Sequence, residues 1–464
     1  LRIDTLELTY LCHQLTQKKF LAESLHGTAL EYCFIHETIK ASVSRRQSES
    51  GLRLLHLQVA NYLESRTDDS PAASYDQLIH HYSAGGDRFK AFQYRILSLS
   101  AYIGLRYELL PTLTGESKSG LSRTDELLDY FQTMETELAE LYHVSSALGR
   151  AELDRLELML LHTESRCHIH DGRYEKGLKV LERLLERCGR LENRGMAVQA
   201  HLQFIYYGIQ TGNLQVMKEH LELVRQLLLG AEHTADFGVY LRLSGLLELM
   251  NARYHHARTI LRRSISVFQS LDPDMDGRYA INIAGVYNYI AESYRLEQNY
   301  VRAFQNYDQA IVYNRSRGYY SGAALFYTNY GVAAYQSGQP EEALKLFRYA
   351  EDIYKDSHEY SEYPIALSFL ALYDAQDGRF VQAAERLRSA LRVCDAIGSP
   401  QWKGVTLWVS WKIRCLITRR RQTCPELESI WPASEAEHCV WCLSFLRQLQ
   451  PRLETEEMER EYLR

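Results

Sequence analysis

The chain has 464 residues, enough for two to four ordinary domains or one long repeat array. Apolar residues make up 46% and charged residues 24%, which excludes a disordered chain. Lys and Arg total 53 against 59 Asp and Glu, a net charge of −6, which excludes a general binder of nucleic acid or anionic membrane.

Nine prolines and 26 glycines are few breakers for this length, so long helices are expected. No run of about 18 uncharged apolar residues occurs that could span a membrane. Arg2, Asp4 and Glu7 leave no apolar signal-peptide core at the start. Nine scattered cysteines, an odd number, read as reduced thiols in a cytoplasmic protein. The chain starts at Leu1, not Met, so a piece of a longer protein is expected.

In chain order, Leu6, Leu8, Leu11, Leu15 and Phe20 predict a helix from about Asp4 to Lys18. A short hairpin follows, with strands near Phe20–Leu25 and Ala29–Phe34 and a turn at His26-Gly27. Two helices come next, around His36–Ser44 and Glu49–Glu64. Helix, β-hairpin and helix describe the end of a winged-helix domain whose first helices would lie before Leu1. Up to Glu64 there are seven basic and seven acidic residues, so the basic surplus of a DNA-binding face is absent.

From there the sequence repeats itself. A Gly-like residue, a variable one, an aromatic and then a small residue recur at Gly172-Arg173-Tyr174 with Gly177, Ala252-Arg253-Tyr254 with Ala257, and Gln298-Asn299-Tyr300 with Ala303. They return at Gly338-Gln339-Pro340 with Ala343 and Gly378-Arg379-Phe380 with Ala383, and more weakly at Gly212-Asn213-Leu214. The steps from 172 are 40, 40, 46, 40 and 40 residues. Another copy, Gly86-Asp87-Arg88 with Ala91, lies 86 residues upstream, room for one more degenerate repeat. The longer step holds Asp272-Pro273-Asp274-Met275-Asp276-Gly277, a turn-rich insertion.

Helix-period segments flank each turn: Tyr287, Ile290, Ala291 and Tyr294 before one, and Ala303, Phe304, Tyr307, Ala310 and Ile311 after it. Small pairs (Ala291/Ala303, Gly331/Ala343, Ala371/Ala383) let two helices approach, and Tyr307, Phe347 and Leu387 fill the gap to the next pair. One pair cannot bury both faces, so the pairs must stack.

The segments NYVRAFQNYDQAIVY, QPEEALKLFRYAEDIY and RFVQAAERLRSALRV resemble the tetratricopeptide repeat, roughly over residues 84–420, with a period longer than usual. The resemblance implies an all-α right-handed superhelix and leaves the ligand open. The N-terminal stretch, from the hairpin to Ala91, resembles the junction after the nucleotide-binding module of bacterial signal-transduction ATPases with numerous domains, including maltose-activator-type transcription regulators. Phe34, His36, Leu55-His56, Ala60, Leu63-Glu64, His80-His81-Tyr82, Gly86-Asp87 and Ala91 carry that likeness. It implies an ATP site in an upstream module and a repeat array that senses a signal. This chain lacks a Gly-x-x-x-x-Gly-Lys-Ser/Thr loop. The nearest lookalike, Gly115-Glu116-Ser117-Lys118-Ser119, reads as part of a loop from Pro111 to Arg123.

No catalytic set stands out: Gly-x-Ser-x-Gly and HExxH are both absent. Cys439 and Cys442, with His438 and Cys424, have a zinc-knuckle spacing but no closely spaced second pair, and they also fit an amphipathic helix. The pairs His80-His81, His168/His170 and His255-His256 lack the i, i+4 spacing of a metal site and read as surface or packing residues. Arg419-Arg420-Arg421, after Lys412 and Arg414, reads as a charged helix end.

In such superhelices the first helix of each pair lines the concave face. Its outward row is expected to hold His162, Arg166, Tyr206, Arg242, Asn288, Glu292, Arg295, Thr328 and Tyr335, with Asn329 and Gln336 beside them. These groups can bind a peptide or protein segment by hydrogen bonds and stacking, or simply form a hydrated inner surface. The expected organisation is a winged-helix remnant over 1–66, repeats over 67–420, and degenerate C-terminal helices over 421–464 that end in an acidic helix, Glu454–Glu459. The expected function is non-catalytic sensing of a protein, a peptide or a small effector. No cofactor, nucleic acid or membrane is expected to bind this chain. The module would be the regulatory arm of an ATP-dependent signalling or transcription regulator, with a free-standing scaffold or peptide receptor as the alternative.

Overall fold

A computed structural model of the chain describes residues 5–26, 29–65, 71–107, 124–273, 277–315, 322–357, 362–432, 434–448, 456 and 459–460. The Pro111–Arg123 loop, Gly27 of the hairpin turn, residues 274–276 of the insertion and most of the acidic C-terminal stretch lie outside them. The chain forms two compact units, Leu1–Leu97 and Ser98–Arg464.

In the first unit, α1 (Thr5–Gln17) leads into an antiparallel hairpin of β1 (Leu21–His26) and β2 (Ala29–Phe34). Its register runs from Leu21 opposite Phe34 to His26 opposite Ala29. Then come α2 (Glu37–Arg45), α3 (Glu49–Ser65) and α4 (Pro71–Gly85), and α5 (Arg88–Tyr107) begins in this unit. Its core is Ala60, Leu78, Tyr82, Ala91 and Tyr94. Beside the core, Glu64 accepts hydrogen bonds from Lys90 Nζ at 2.5 Å, Tyr94 OH at 2.6 Å and Tyr82 OH. Burial works to raise its pKa, but these hydrogen bonds outweigh it and hold the carboxyl below its ordinary value. The unit also leaves large apolar side chains in the open, among them Tyr10 (62% exposed), Leu54 (58%) and Tyr62 (57%).

The second unit holds α6 (Thr124–Val144) and then helix pairs. These are α7 (Ala147–His170) with α8 (Tyr174–Arg190), α9 (Arg194–Thr211) with α10 (Leu214–Leu227), and α11 (Ala235–Met250) with α12 (Tyr254–Ser270). They continue as α13 (Ala280–Leu296) with α14 (Tyr300–Arg315), α15 (Ala323–Gln336) with α16 (Pro340–Ser357), and α17 (Tyr363–Gln376) with α18 (Phe380–Ile397). Last come α19 (Pro400–Arg419), the short α20 (Pro425–Glu428), and α21 (Glu435–Leu446), which packs on α19. The fold is an all-α stack of helical repeats preceded by a short antiparallel β-hairpin. Among the described residues no helix is long and apolar enough to cross a membrane.

The repeated turn has one backbone solution. Gly172, Gly212, Ala252, Gln298, Gly338 and Gly378 all take positive φ, between 58° and 81°. In each turn the following residue donates back across the helix end, as in Arg173 N to His168 O at 2.9 Å, Asn299 N to Tyr294 O at 2.8 Å, and Arg379 N to Asp374 O at 2.8 Å. This is the Schellman closure, which satisfies carbonyls that a helix end leaves unpaired. Glycine suits it because a side chain crowds the left-handed backbone, yet Ala252 and Gln298 adopt it as well.

Packing follows from the small residues. A Cβ on Gly331 would stand 2.7 Å from the Phe347 ring, and one on Gly245 2.6 Å from Leu261. The first helix of a pair therefore lies directly on the large side chain of the second. Ala291, Ala303, Ala343, Ala371 and Ala383 are fully buried, as are Tyr307, Phe347 and Leu387. First helices are enclosed on nearly every side: α17 buries all of Pro364–Ala375. Second helices bury one stripe, as α8 does with Gly177, Val180, Leu181, Leu184 and Cys188. Arg420, at the end of α19, donates to the carbonyl of Gln376 at 2.9 Å, so part of the basic run serves a helix C-terminus.

Gln298 is exposed and holds φ at 58°. Replacing it, Gln298→Gly, is expected to raise stability by about 0.5–1 kcal/mol by removing the left-handed penalty. Denaturant unfolding measures this, and a lower midpoint would contradict the assignment.

Candidate binding face of the repeats

The predicted row lies along successive first helices: His162 and Arg166 on α7, Tyr206 on α9, Arg242 on α11, Asn288, Glu292 and Arg295 on α13, and Thr328, Asn329, Tyr335 and Gln336 on α15. It is more enclosed than an outward-facing row. Arg166 is 8% exposed, Arg242 2%, Asn288 1%, Arg295 5% and Thr328 0%. Asn329, Tyr335 and Gln336 are half-buried.

The first and last pairs of the stack also meet. The turn between α7 and α8 meets the end of α18. Tyr174 OH donates to the carbonyl of Ile397 at 2.6 Å, across 223 residues of sequence. A Cβ on Gly172 would stand 2.5 Å from the Ala396 carbonyl oxygen. Asp171, Arg173, Arg392, Val393 and Ala396 line a cleft along this seam. The turn between the first pair thus touches the end of the sixth, while the row itself is enclosed by contacts between first helices of neighbouring pairs.

Three groups of contacts line the row. Arg242 donates to Tyr206 OH at 3.4 Å and to Tyr289, and Glu362, just ahead of α17, adds its charge to the surroundings of Tyr289. Burial raises the Tyr289 pKa, with Arg242 opposing, so the phenol stays protonated. Second, Arg295 grips Glu292 at 2.9–3.2 Å and donates to Gln336 Oε1 at 2.8 Å, while Tyr307 donates to Glu292. Third, Asn329 Nδ2 donates to Asn288 Oδ1 at 3.2 Å. Thr328 turns inward, donating to Ala324 O at 2.8 Å. Tyr335 packs edge-on against Phe369 with ring centroids 5.0 Å apart.

The expected row did not include Tyr289, Tyr307 or Glu362. Tyr289 is one residue from Asn288, so a row drawn one position wider would have held it. Tyr307 reads as a core filler, and nothing in the local pattern brings Glu362 near α11 and α13.

Toward the C-terminus, Cys439 and Cys442 are buried in α21, and Cys442 Sγ lies 3.8 Å from the carbonyl oxygen of Gly404. Burial pushes the Cys439 thiol up to about 11 and that of Cys442 well above its ordinary value. Both side chains pack in the apolar core against α19. Among the described residues, Arg242, Asn288, Glu292, Arg295, Asn329 and Gln336 of this face pair with neighbouring side chains, and no catalytic constellation assembles there.

No protein-family model matches the chain, and no curated protein does. Several solved structures resemble it. A Rap protein complexed with competence and sporulation factor is 12% identical, with a TM-score of 0.47, over 81% of this chain and 97% of its own. A signal transduction ATPase with numerous domains carrying a tetratricopeptide repeat sensor, from Pyrococcus horikoshii, is 13% identical with a TM-score of 0.46. The match covers 96% of this chain and 59% of that protein. Yeast Tom70 is 13% identical with a TM-score of 0.35, over 88% of this chain and 85% of its own. These are distant likenesses to helical-repeat proteins, and the repeat architecture here rests on the turns and packing above.

The seam is testable. Gly172→Ala places a methyl against the Ala396 carbonyl, and Tyr174→Phe removes a hydrogen bond worth about 1 kcal/mol. The double variant is expected to keep its helix content and show a larger radius of gyration by small-angle scattering. An unchanged radius would mean the seam does not hold the stack closed.

The buried imidazoles predict a pH dependence. Burial, aided by the Arg166 charge, lowers His162 to about 3. Burial, aided by the His220 ring, lowers His201 to about 4, and burial with Arg414 lowers His438 to about 4. All three take up protons more readily unfolded, where the ordinary value is 6.5. Their neutral-form stability is fully present above that value and is lost as pH falls toward 4. Melting temperature is therefore expected to fall steadily below pH 6.5 and to gain nothing from these groups above it.

Proposed function

We propose that the chain is a non-catalytic recognition module whose repeats hold a peptide or an extended protein segment along their inner face. The observation that carries this reading is the polar interior itself. A stack needing only stability would fill that space with apolar side chains, because burying Arg242, Asn288 and Arg295 costs several kcal/mol that hydrogen bonds only offset. Asparagine, tyrosine and arginine on successive helices suit main-chain amides and carbonyls, which recur along a peptide at regular intervals. His162 adds a buried Nε2 with no hydrogen-bond partner among the described residues.

Asn329 and Tyr335 are half-buried where Arg242 and Arg295 are enclosed, so they are the groups of the row that a ligand reaches most readily. Peptides selected from a random displayed library on the intact chain provide the probe. Asn329→Ala with Tyr335→Ala is expected to weaken a selected peptide by about tenfold or more, about 1.4 kcal/mol, with the circular dichroism unchanged. Equal affinity in the folded variant rejects this face.

A finer reading makes this module the regulatory arm of a signalling ATPase, with binding on the repeats changing how the first unit packs on an upstream module. The exposed Tyr10, Leu54 and Tyr62 of the helix–hairpin–helix segment favour it, because such side chains suit a protein contact. The genomic reading frame before Leu1 tests it. An encoded phosphate-binding loop supports this reading, and a start codon immediately upstream removes it.

A further inference from the structure

Three imidazoles converge in the first unit, none of them part of the inner-face row. His56 on α3 meets His80 and His81 on α4, and one ring nitrogen from each lies within 4.8 Å of the others. The Nδ1 atoms of His56 and His81 are 2.9 Å apart. The ring centroids are separated by 5.6 Å (His56–His80), 5.1 Å (His56–His81) and 5.0 Å (His80–His81). We propose that His56, His80 and His81 form a three-histidine site for a zinc ion, with its fourth position open to solvent.

The geometry fits the ion. Zinc binds imidazole nitrogen at about 2.0–2.1 Å, so tetrahedral ligands lie about 3.3 Å apart. The 2.9 Å pair needs only a few tenths of an ångström of opening, and the 4.8 Å limit on the set needs one ring to swing inward. His80 is exposed and His56 and His81 are half-buried, so one ring is free to move while two are held. The helices beneath are already fixed. A Cβ on Gly85 would stand 2.7 Å from Leu57, the residue after His56, and Tyr82, the residue after His81, donates to Glu64 of α3. Such support keeps the ligands near their bound positions before the ion arrives.

Without an ion, the 2.9 Å contact requires one ring to donate from Nδ1 and the other to accept, and a third ring crowds the same space. An ion accepts lone pairs from all three. The set is all nitrogen, with no thiolate or carboxylate, which suits zinc and other borderline transition metals and disfavours magnesium and calcium. Binding gives the ion three neutral imidazoles and one retained water in a tetrahedral shell, and the other waters of the aquo ion are released. It ties α3 to α4 at the level where the first unit's core begins, so the expected consequence is a stiffer connector ahead of the repeats.

The test uses the full chain, stripped with a chelator and titrated with zinc chloride by calorimetry at neutral pH, with magnesium chloride as the control. One zinc per chain is expected beyond whatever His80→Gln and His56→Gln each retain, and magnesium is expected to give no heat. Zinc is expected to raise the melting temperature of the wild-type chain and not that of the variants. Because His80 is exposed, His80→Gln is expected to fold normally, which keeps the test valid if His56→Gln does not. X-ray absorption of the loaded protein should show three imidazole nitrogens and no sulfur. Equal zinc stoichiometry in wild type and His80→Gln, sulfur in the coordination shell of the only ion bound, or no zinc binding would each overturn the site.

Discussion

The close approach of two helices over a pair of small residues is the contact on which the rest of the second unit depends. Where Gly245 and Gly331 leave no side chain, Leu261 and Phe347 of the following helix reach the backbone and are sealed from water. Each such burial contributes about 1.5–3 kcal/mol. The left-handed turn between the helices fixes their relative position, because its backbone hydrogen bonds admit little variation. Repeating one turn and one contact gives each pair nearly the same relation to the next. A stack built that way has a curvature set by local chemistry and not by its ends.

That curvature brings the α7–α8 turn to the end of α18, where Gly172 again provides the space and Tyr174 the hydrogen bond. Between neighbouring first helices, polar residues satisfy each other, as Arg242 does with Tyr206 and Arg295 does with Glu292 and Gln336. Charged groups tolerate such burial only when paired. The pairing leaves a lining rich in hydrogen-bond donors and acceptors.

The first unit follows a different logic. Its core is small, and a single carboxylate with three donors around Glu64 ties α3 to α4 and α5. A compact unit with few buried apolar side chains gains more than a large one from a polar or metal staple. The imidazole cluster joins the same α3 and α4, with His56 about two helical turns before Glu64.

The repeat turns, the helix boundaries, the hairpin strands and the small-and-large pairing were legible in the sequence, because each is set by residues within about one helical pair of one another. Ala29–Phe34 is a strand and Gly172 ends a helix for reasons confined to their neighbours. The candidate row was legible only as a list of positions. Whether Asn288 faces water or Asn329, and whether Arg242 is open or enclosed, depends on how far the stack curls. That curl is the sum of many small rotations, none of which marks the sequence. The same holds for His56 beside His80 and His81, residues read singly as surface groups until two helices cross. Local periodicity determined the elements and their order. Only the tertiary structure decided which polar groups meet, because those meetings join residues tens to hundreds of positions apart, where backbone geometry and packing alone set the distance.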